Sequence, residues 1–310
     1  MRYKSLFPIL ILPLLASVLA ISAWSKNPET EQSTFATPRQ AAETLLKAAQ
    51  KDDTGMLSKI FGPEADQILN SGDPVQDKEN RAKFVDRAQK FMEVKINPRK
   101  PAHANLLIGN DHFPFPVPLV RSAGRWHFDT PAGKTEILAR RIGSNELDAI
   151  AACKAYVAAQ YDYASEDRNK NGVPEYAKNL ISSPNKRDGL FWPGGEAPPT
   201  EFAEKVKKAQ AEGYRKSNES PTAYHGYYFR VLTAQGSHAH GGALDYVQKG
   251  MMIGGFALVA WPTEYGVSGI KTFLVDEDGI IYEKDLGPST NATAGAMTAF
   301  DPDQTWRRVR

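Results

Sequence analysis

The chain has 310 residues, 41% of them apolar, with 38 Lys and Arg against 36 Asp and Glu. That balance, with no long basic run, excludes the cationic footprint by which proteins displace counterions from nucleic acid. The single cysteine, Cys153, excludes an intramolecular disulfide, so the fold must rest on its apolar core, which a chain of this length can bury in about two domains.

At the N-terminus, basic Arg2 and Lys4 precede an apolar run from Leu6 to Ile21 and small residues at Ala20 and Ala23. These are the three parts of an export signal, so residues 1–23 are read as a signal peptide. The apolar run is 16 residues long and carries Pro8 and Pro13, short of the roughly 20 residues a spanning helix needs. The expectation is cleavage, a periplasmic or secreted mature protein, and no membrane association afterwards. Cys153 lies far from the signal, so no lipid anchor is expected there. Without Arg2 and Lys4 the basic and acidic counts are equal.

Residues 24–34 are polar and aperiodic and read as a tether. Folding starts at about Phe35. Thr37-Pro38 is a helix N-cap followed by proline at the first helical position, and Ala42, Leu45, Leu46 and Ala49 recur at helical spacing. Helical patterns follow over 54–69 and 79–91, separated by a loop over 71–77. Residues 94–96, 104–108, 116–121 and 126–129 read as strands, with Ser122-Ala-Gly-Arg125 as the turn of a hairpin. Helices followed by a curved antiparallel sheet make residues 35–142 an α+β domain that resembles the nuclear-transport-factor-two-like or cystatin-like cone.

Residues 136–142 read as a link to a new helix N-capped by Ser144, with Glu146 in its first turn. Leu147, Ile150, Cys153, Val157 and Ala164 form its apolar stripe, which places Cys153 on the buried face. A Gly-, Pro-, Asn- and Lys-rich stretch runs to Pro199. After it come a short helix over 201–213 and three strand segments, from Tyr224 to Leu232, Gly255 to Pro262 and Gly269 to Tyr282, the last broken by an Asp278-Gly279 turn. Residues 144–310 thus form a second α+β domain whose order, long helix and then antiparallel meander, resembles a type IV pilin or pseudopilin head. The apolar segment lies far upstream of that head and lacks the glutamate of a pilin helix, so assembly into a pilus is not expected.

Across residues 36–309 the chain resembles the bacterial exported family called domain of unknown function 2950. The resemblance is carried by Ala36-Thr-Pro-Arg-Gln-Ala-Ala42, Gly250-Met-Met-Ile-Gly-Gly-Phe-Ala-Leu-Val-Ala-Trp-Pro262, Tyr282-Glu-Lys-Asp-Leu-Gly287 and Phe300-Asp-Pro-Asp-Gln-Thr-Trp306. It implies export and family membership and transfers no activity.

Four groups of residues invite a chemical reading. Asp167, Asn169, Asn171 and Glu175, with Gly172 at the sixth position, follow a calcium-loop spacing, although Lys178 stands where the bidentate glutamate belongs. The same string reads equally as a polar turn. His238 and His240 offer two imidazoles from one glycine-rich loop, with Asp245 the nearest acid; the other reading is a solvated hairpin tip. Asp276, Asp278, Glu283 and Asp285 crowd the last hairpin and read first as turn formers rather than an acid–base pair. Trp192, beside Pro193-Gly-Gly195, reads either as an aromatic platform for a glycan or peptide or as core.

No serine sits in a nucleophile elbow, and Cys153 is placed as core. The expected function is therefore a non-catalytic binding or structural module of the bacterial envelope, with an envelope protein or glycan as partner and no cofactor beyond calcium. The alternative is a secreted hydrolase with its active site between the two domains.

Overall fold

The computed structural model describes residues 32–193, 200–212 and 222–310, so the expected signal peptide lies outside the described residues. The chain is mixed α+β, with apolar residues gathered in two separate cores, one drawn from Phe35 to Ile137 and the other from Ala149 to Val309.

The first core is built by α1 (Pro38–Gln50), α2 (Thr54–Phe61), α3 (Ala65–Leu69) and α4 (Pro74–Lys90). Thr37 caps α1 by accepting from the Gln40 amide, and Asp73 caps α4 in the same way through Gln76. The helical pattern expected over 54–69 is broken by Gly62-Pro63 into a short 3₁₀ turn. Helix α4 starts at Pro74, five residues earlier than its apolar spacing suggests, because the Asp73-Pro74 pair is a complete N-terminal signal.

The helices pack on an antiparallel sheet of β1 (Met92–Asn97), β2 (Lys100–Ile108), β3 (Phe113–Pro114), β4 (Leu119–Ser122) and β5 (Arg125–Phe128). The expected hairpin is present, with Leu119 paired to Phe128 and Arg121 to Trp126. Leu106, Leu119 and Phe128 are fully buried on the face turned to the helices.

The expected link over 136–142 and the N-cap at Ser144 are corrected. Both lie inside one helix, α5 (Thr130–Ala164), capped by Asp129. Continuous packing overrides the weak Gly143-Ser144 break, since Ile137 belongs to the first core and Ala149 to the second. At the start of α5 the backbone of Val117 comes so close to Gly133 that a Cβ there would lie 2.8 Å from the Val117 Cα. No helix among the described residues is long and apolar enough to cross a membrane.

Beyond α5, β6 (Asn179–Ile181) and β7 (Gly189–Phe191) form a parallel pair, and α6 (Glu201–Glu212) packs on α5. The strands that follow are β8 (Thr222–Tyr224), β9 (Tyr227–Leu232), β10 (Ala234–Gln235), β11 (Leu244–Asp245), β12 (Val247–Gln248), β13 (Met251–Met252), β14 (Ala257–Pro262), β15 (Lys271–Asp276) and β16 (Tyr282–Asp285). Helix α7 (Thr290–Gly295), β17 (Ala299–Phe300) and β18 (Arg307–Arg308) complete the chain.

The main sheet runs β18-β16-β15-β14-β9-β8 and is antiparallel throughout. All six residues of β14 are buried, as a strand covered on both faces requires. Helix α5 lies on one face, while α7 and β17 lie on the other. The Asp278-Gly279 turn forms as expected, with the Gly279 amide donating to the Asp276 carbonyl at 3.0 Å.

The two cores are joined by more than the shared helix. Gln76 Nε2 donates to Asn145 Oδ1 at 2.7 Å, and Asn145 Nδ2 donates to the Ser268 carbonyl at 2.8 Å. The next residue, Glu146, accepts through Oε1 from the Ile270 and Lys271 amides, both at 3.0 Å. Asp73, the cap of α4, also accepts from the Gly226 amide at 3.3 Å.

Candidate functional site

A cavity of about 300 Å³ lies between the first-half helices and α5. Its apolar wall comes from Leu45, Leu57, Phe61, Ile68, Phe84 and Phe115, while Gln76, Asp77, Arg141 and Asn145 bring polar groups to it. An apolar chamber with a few convergent polar groups is the usual form of a small-molecule site.

Three arginines line this cavity, and their partners differ. Arg81 Nε is 2.6 Å from Asp52, and Arg140 Nε is 2.7 Å from Glu136 with its guanidinium over the Phe113 ring. Arg141, only 9% exposed, instead donates to the Ile68 carbonyl at 3.1 Å and the Asn70 carbonyl at 3.5 Å. No carboxylate oxygen of the described residues lies within 4.0 Å of it. Burial pulls the Arg141 guanidinium below its usual range, opposed by the more distant charges of Asp77 and Glu264. Nearby, Gln76 is 7% exposed and its Oε1 has no hydrogen-bond partner. A buried cation bonded to neutral carbonyls and a buried vacant acceptor both favour a polar ligand group arriving in the cavity.

The sequence-derived residues lie elsewhere. His238 and His240 line a second cavity, of about 240 Å³, and the acids they meet are Asp276 and Asp278 of the last hairpin. Asp245, expected as the neighbouring acid, is not among the lining residues; its Oδ1 accepts from the Val247 amide. Asp301 takes both the His238 amide, at 2.8 Å, and His238 Nδ1, at 3.0 Å. Glu283 and Asp285 lie on β16, outside this lining.

Asp276 is 7% exposed and its Oδ1 is buried without a partner. Burial raises its pKa from 3.8 to about 6, reinforced by the charges of Asp278 and Glu277 and opposed by hydrogen bonds from backbone amides. His238 and His240 from the β10–β11 loop and Arg308 from β18 face the same cavity, and the Tyr161 and Tyr246 phenols feel the Asp276 charge. Because the folded state holds this proton more tightly, its contribution is fully present below about pH 4 and is lost as pH rises through about 6. Asp276→Asn is therefore expected to remove a fall in stability of about 1–3 kcal/mol between pH 4 and 7. Urea unfolding of both proteins across that range checks this; parallel pH profiles would contradict it.

Of the two readings of Trp192, aromatic platform or core, the structure shows a packed ring. It is 8% exposed, its indole Nε1 donates to the Gly189 carbonyl at 2.8 Å, and the Arg187 guanidinium covers the ring at 4.6 Å. Its neighbours Gly194 and Gly195 lie outside the described residues.

In the 167–175 loop, Asp167 accepts from the Asn171 and Gly172 amides at 3.1 and 2.8 Å. The side-chain amides of Asn169 and Asn171 donate to Glu175 Oε1 at 2.9 and 2.8 Å, and the Met252 amide donates to Glu175 Oε2 at 3.1 Å. These bonds engage Asp167 and Glu175 and tie the end of α5 to β13. Cys153 is fully buried, and burial pushes its thiol up to about 12, which suppresses the nucleophilic thiolate.

One further cluster escaped sequence reasoning. Ligand atoms of Glu79, Glu212 and His225 lie within 4.8 Å of one another, the set among the described residues with metal-compatible spacing. His225 Nδ1 is 2.8 Å from Asp148 Oδ2, and Nε2 is 3.3 Å from Glu212 Oε2. Lys83 pairs with Glu79 at 2.8 Å and Lys208 with Glu212 at 3.5 Å. With the imidazole protonated, three cations meet three carboxylates among the described residues. Its members come from α4, α5, α6 and the β8–β9 turn, and no local spacing announces them.

A family model described as a protein of unknown function (DUF2950) matches residues 32–309. No curated protein and no solved structure matches the chain.

Proposed function

The chain belongs to this family of proteins of unknown function, and from that premise we propose that it is an exported, non-catalytic binding protein for an amphipathic organic acid. The ligand lies in the 300 Å³ cavity between the first-half helices and α5, its apolar body against Leu45, Leu57, Phe61 and Phe84 and its carboxylate on Arg141. The observation that carries this reading is the Arg141 guanidinium, buried and bonded to carbonyl oxygens while Arg81 and Arg140 hold carboxylates. A guanidinium has five N–H donors and matches a carboxylate bidentately. An anionic end group supplies the charge that Ile68 and Asn70 do not.

Export is supported by the composition of residues 1–23. The second half, with its pilin-head-like order of helix and meander, is proposed to act as the interaction module toward an envelope partner.

The reading is tested on protein purified from its native host under non-denaturing conditions. Native mass spectrometry is expected to show a bound organic acid that dissociates on activation, and its loss is expected to lower the melting temperature. A preparation that carries no such adduct, and whose melting temperature is unmoved by added decanoate, would contradict it.

A further inference from the structure

The second cavity has a composition of its own. Its imidazole and charged side chains come from three separate segments: His238 and His240 from the β10–β11 loop, Asp276 and Asp278 from the last hairpin, and Arg308 from β18. Tyr282 and Phe300 add aromatic surface, their rings meeting edge to face at 5.9 Å. The carboxyl of Asp276 is more than nine-tenths buried there with Oδ1 unpartnered, although buried polar atoms are as a rule satisfied.

The charges around this space narrow the ligand. An anion would face Asp276 and Asp278, and a cation would face Arg308. Asp301 already occupies His238 Nδ1, leaving Nε2 as the second hydrogen-bonding atom of that ring. Acceptors and donors therefore alternate over a short span beside aromatic carbon. Ligand atoms of these residues do not form a set within 4.8 Å, unlike Glu79, Glu212 and His225, so the space suits a molecule better than a bare metal ion. A neutral, hydroxyl-rich ring meets each condition, because every hydroxyl both donates and accepts and the C–H faces pack on aromatic rings.

We infer that the cavity formed by His238, His240, Asp276, Asp278, Tyr282 and Arg308 binds a sugar ring, with the Asp276 carboxyl accepting from a ring hydroxyl. This site is separate from the cavity at Arg141 and stands or falls independently of it.

The test is saturation-transfer NMR on the mature chain with glucose, galactose and N-acetylglucosamine, followed by titration of any sugar that responds. At least one is expected to bind saturably. Asp276→Leu, which replaces the buried carboxyl by an apolar group of similar size, is expected to weaken that binding at least tenfold. Arg308→Ala, at the sheet edge, keeps the test decisive should Asp276→Leu fold poorly, and is expected to weaken binding at least threefold. Absence of saturable binding by all three sugars would overturn the inference, as would affinity unchanged in both variants. So would Asp276-dependent binding of zinc or putrescine in place of a sugar.

Discussion

Replacing Trp261 by alanine is expected to cost the fold about 3–5 kcal/mol, the usual range for emptying a buried aromatic site. Trp261 is nearly fully buried in β14, opposite Tyr228 of β9. Its ring meets Tyr228 at 5.6 Å and carries the Arg230 guanidinium at 5.5 Å. The indole Nε1 donates to Asn291 Oδ1 of α7 at 3.0 Å, so one side chain fastens the helix to the sheet. Arg230 in turn donates to the carbonyls of Gly295, Ala294 and Met297, closing that helix end. The substitution removes packing volume and also the hydrogen bond to Asn291. Trp261→Phe keeps most of the ring and loses the hydrogen bond, so it is expected to cost less, about 1–2 kcal/mol. Urea unfolding measures both. A Trp261→Ala protein within about 1 kcal/mol of the parent would show that the α7 layer does not depend on this residue.

Asn145→Leu is expected to cost about 2–4 kcal/mol and, unlike Trp261→Ala, to change the form of the transition. Asn145 is fully buried and is the relay between Gln76 of α4 and Ser268 before β15. Removing it leaves the Gln76 amide and the Ser268 carbonyl buried without partners, at about 1–3 kcal/mol each. Packing is affected as well, since the Gly226 backbone lies so close beneath the amide that a Cβ there would stand 2.5 Å from Asn145 Nδ2. The residue sits on α5 between the two cores, so its loss weakens their coupling while leaving each core intact. Unfolding followed separately by tryptophan fluorescence and far-UV circular dichroism is expected to coincide in the parent and to separate in the variant. Coincident curves with an unchanged midpoint would mean that the Asn145 relay does not carry the coupling between the halves.

The elements legible in the sequence are those whose signals are local. Thr37-Pro38, the Ser122–Arg125 turn and the Asp278-Gly279 turn are complete within a few residues, and each forms where its chemistry points. The β14–β15 meander was legible because apolar runs there end at glycine and proline. Helix α5 was not, because Ser144-Asn145-Glu146 has the composition of an N-terminus. In the fold those polar side chains cap nothing; Asn145 and Glu146 bond instead to the backbone of residues 268–271.

The candidate sites were legible in part for the same reason. His238 and His240 stood out as a pair, but Asp276 meets them only through the order of strands in the sheet and the return of β17 beside β10. Asp276 by itself reads as a turn former. The cavity at Arg141 draws on α1, α2, α3, α4 and α5, and no spacing in the chain reports that Arg141 bonds to backbone carbonyls while Arg140, one residue before it, holds a carboxylate.

Whether Arg141 receives an anionic ligand group in an apolar chamber is tested most directly by calorimetric titration of the mature chain with decanoate and decanol. Decanoate is expected to bind at least tenfold more tightly than decanol. Arg141→Met is expected to abolish that preference, and Ala49→Met, which fills the chamber from α1, to weaken both ligands together. Equal affinity for the acid and the alcohol in the parent protein, or a preference that survives Arg141→Met, would contradict the proposed binding mode.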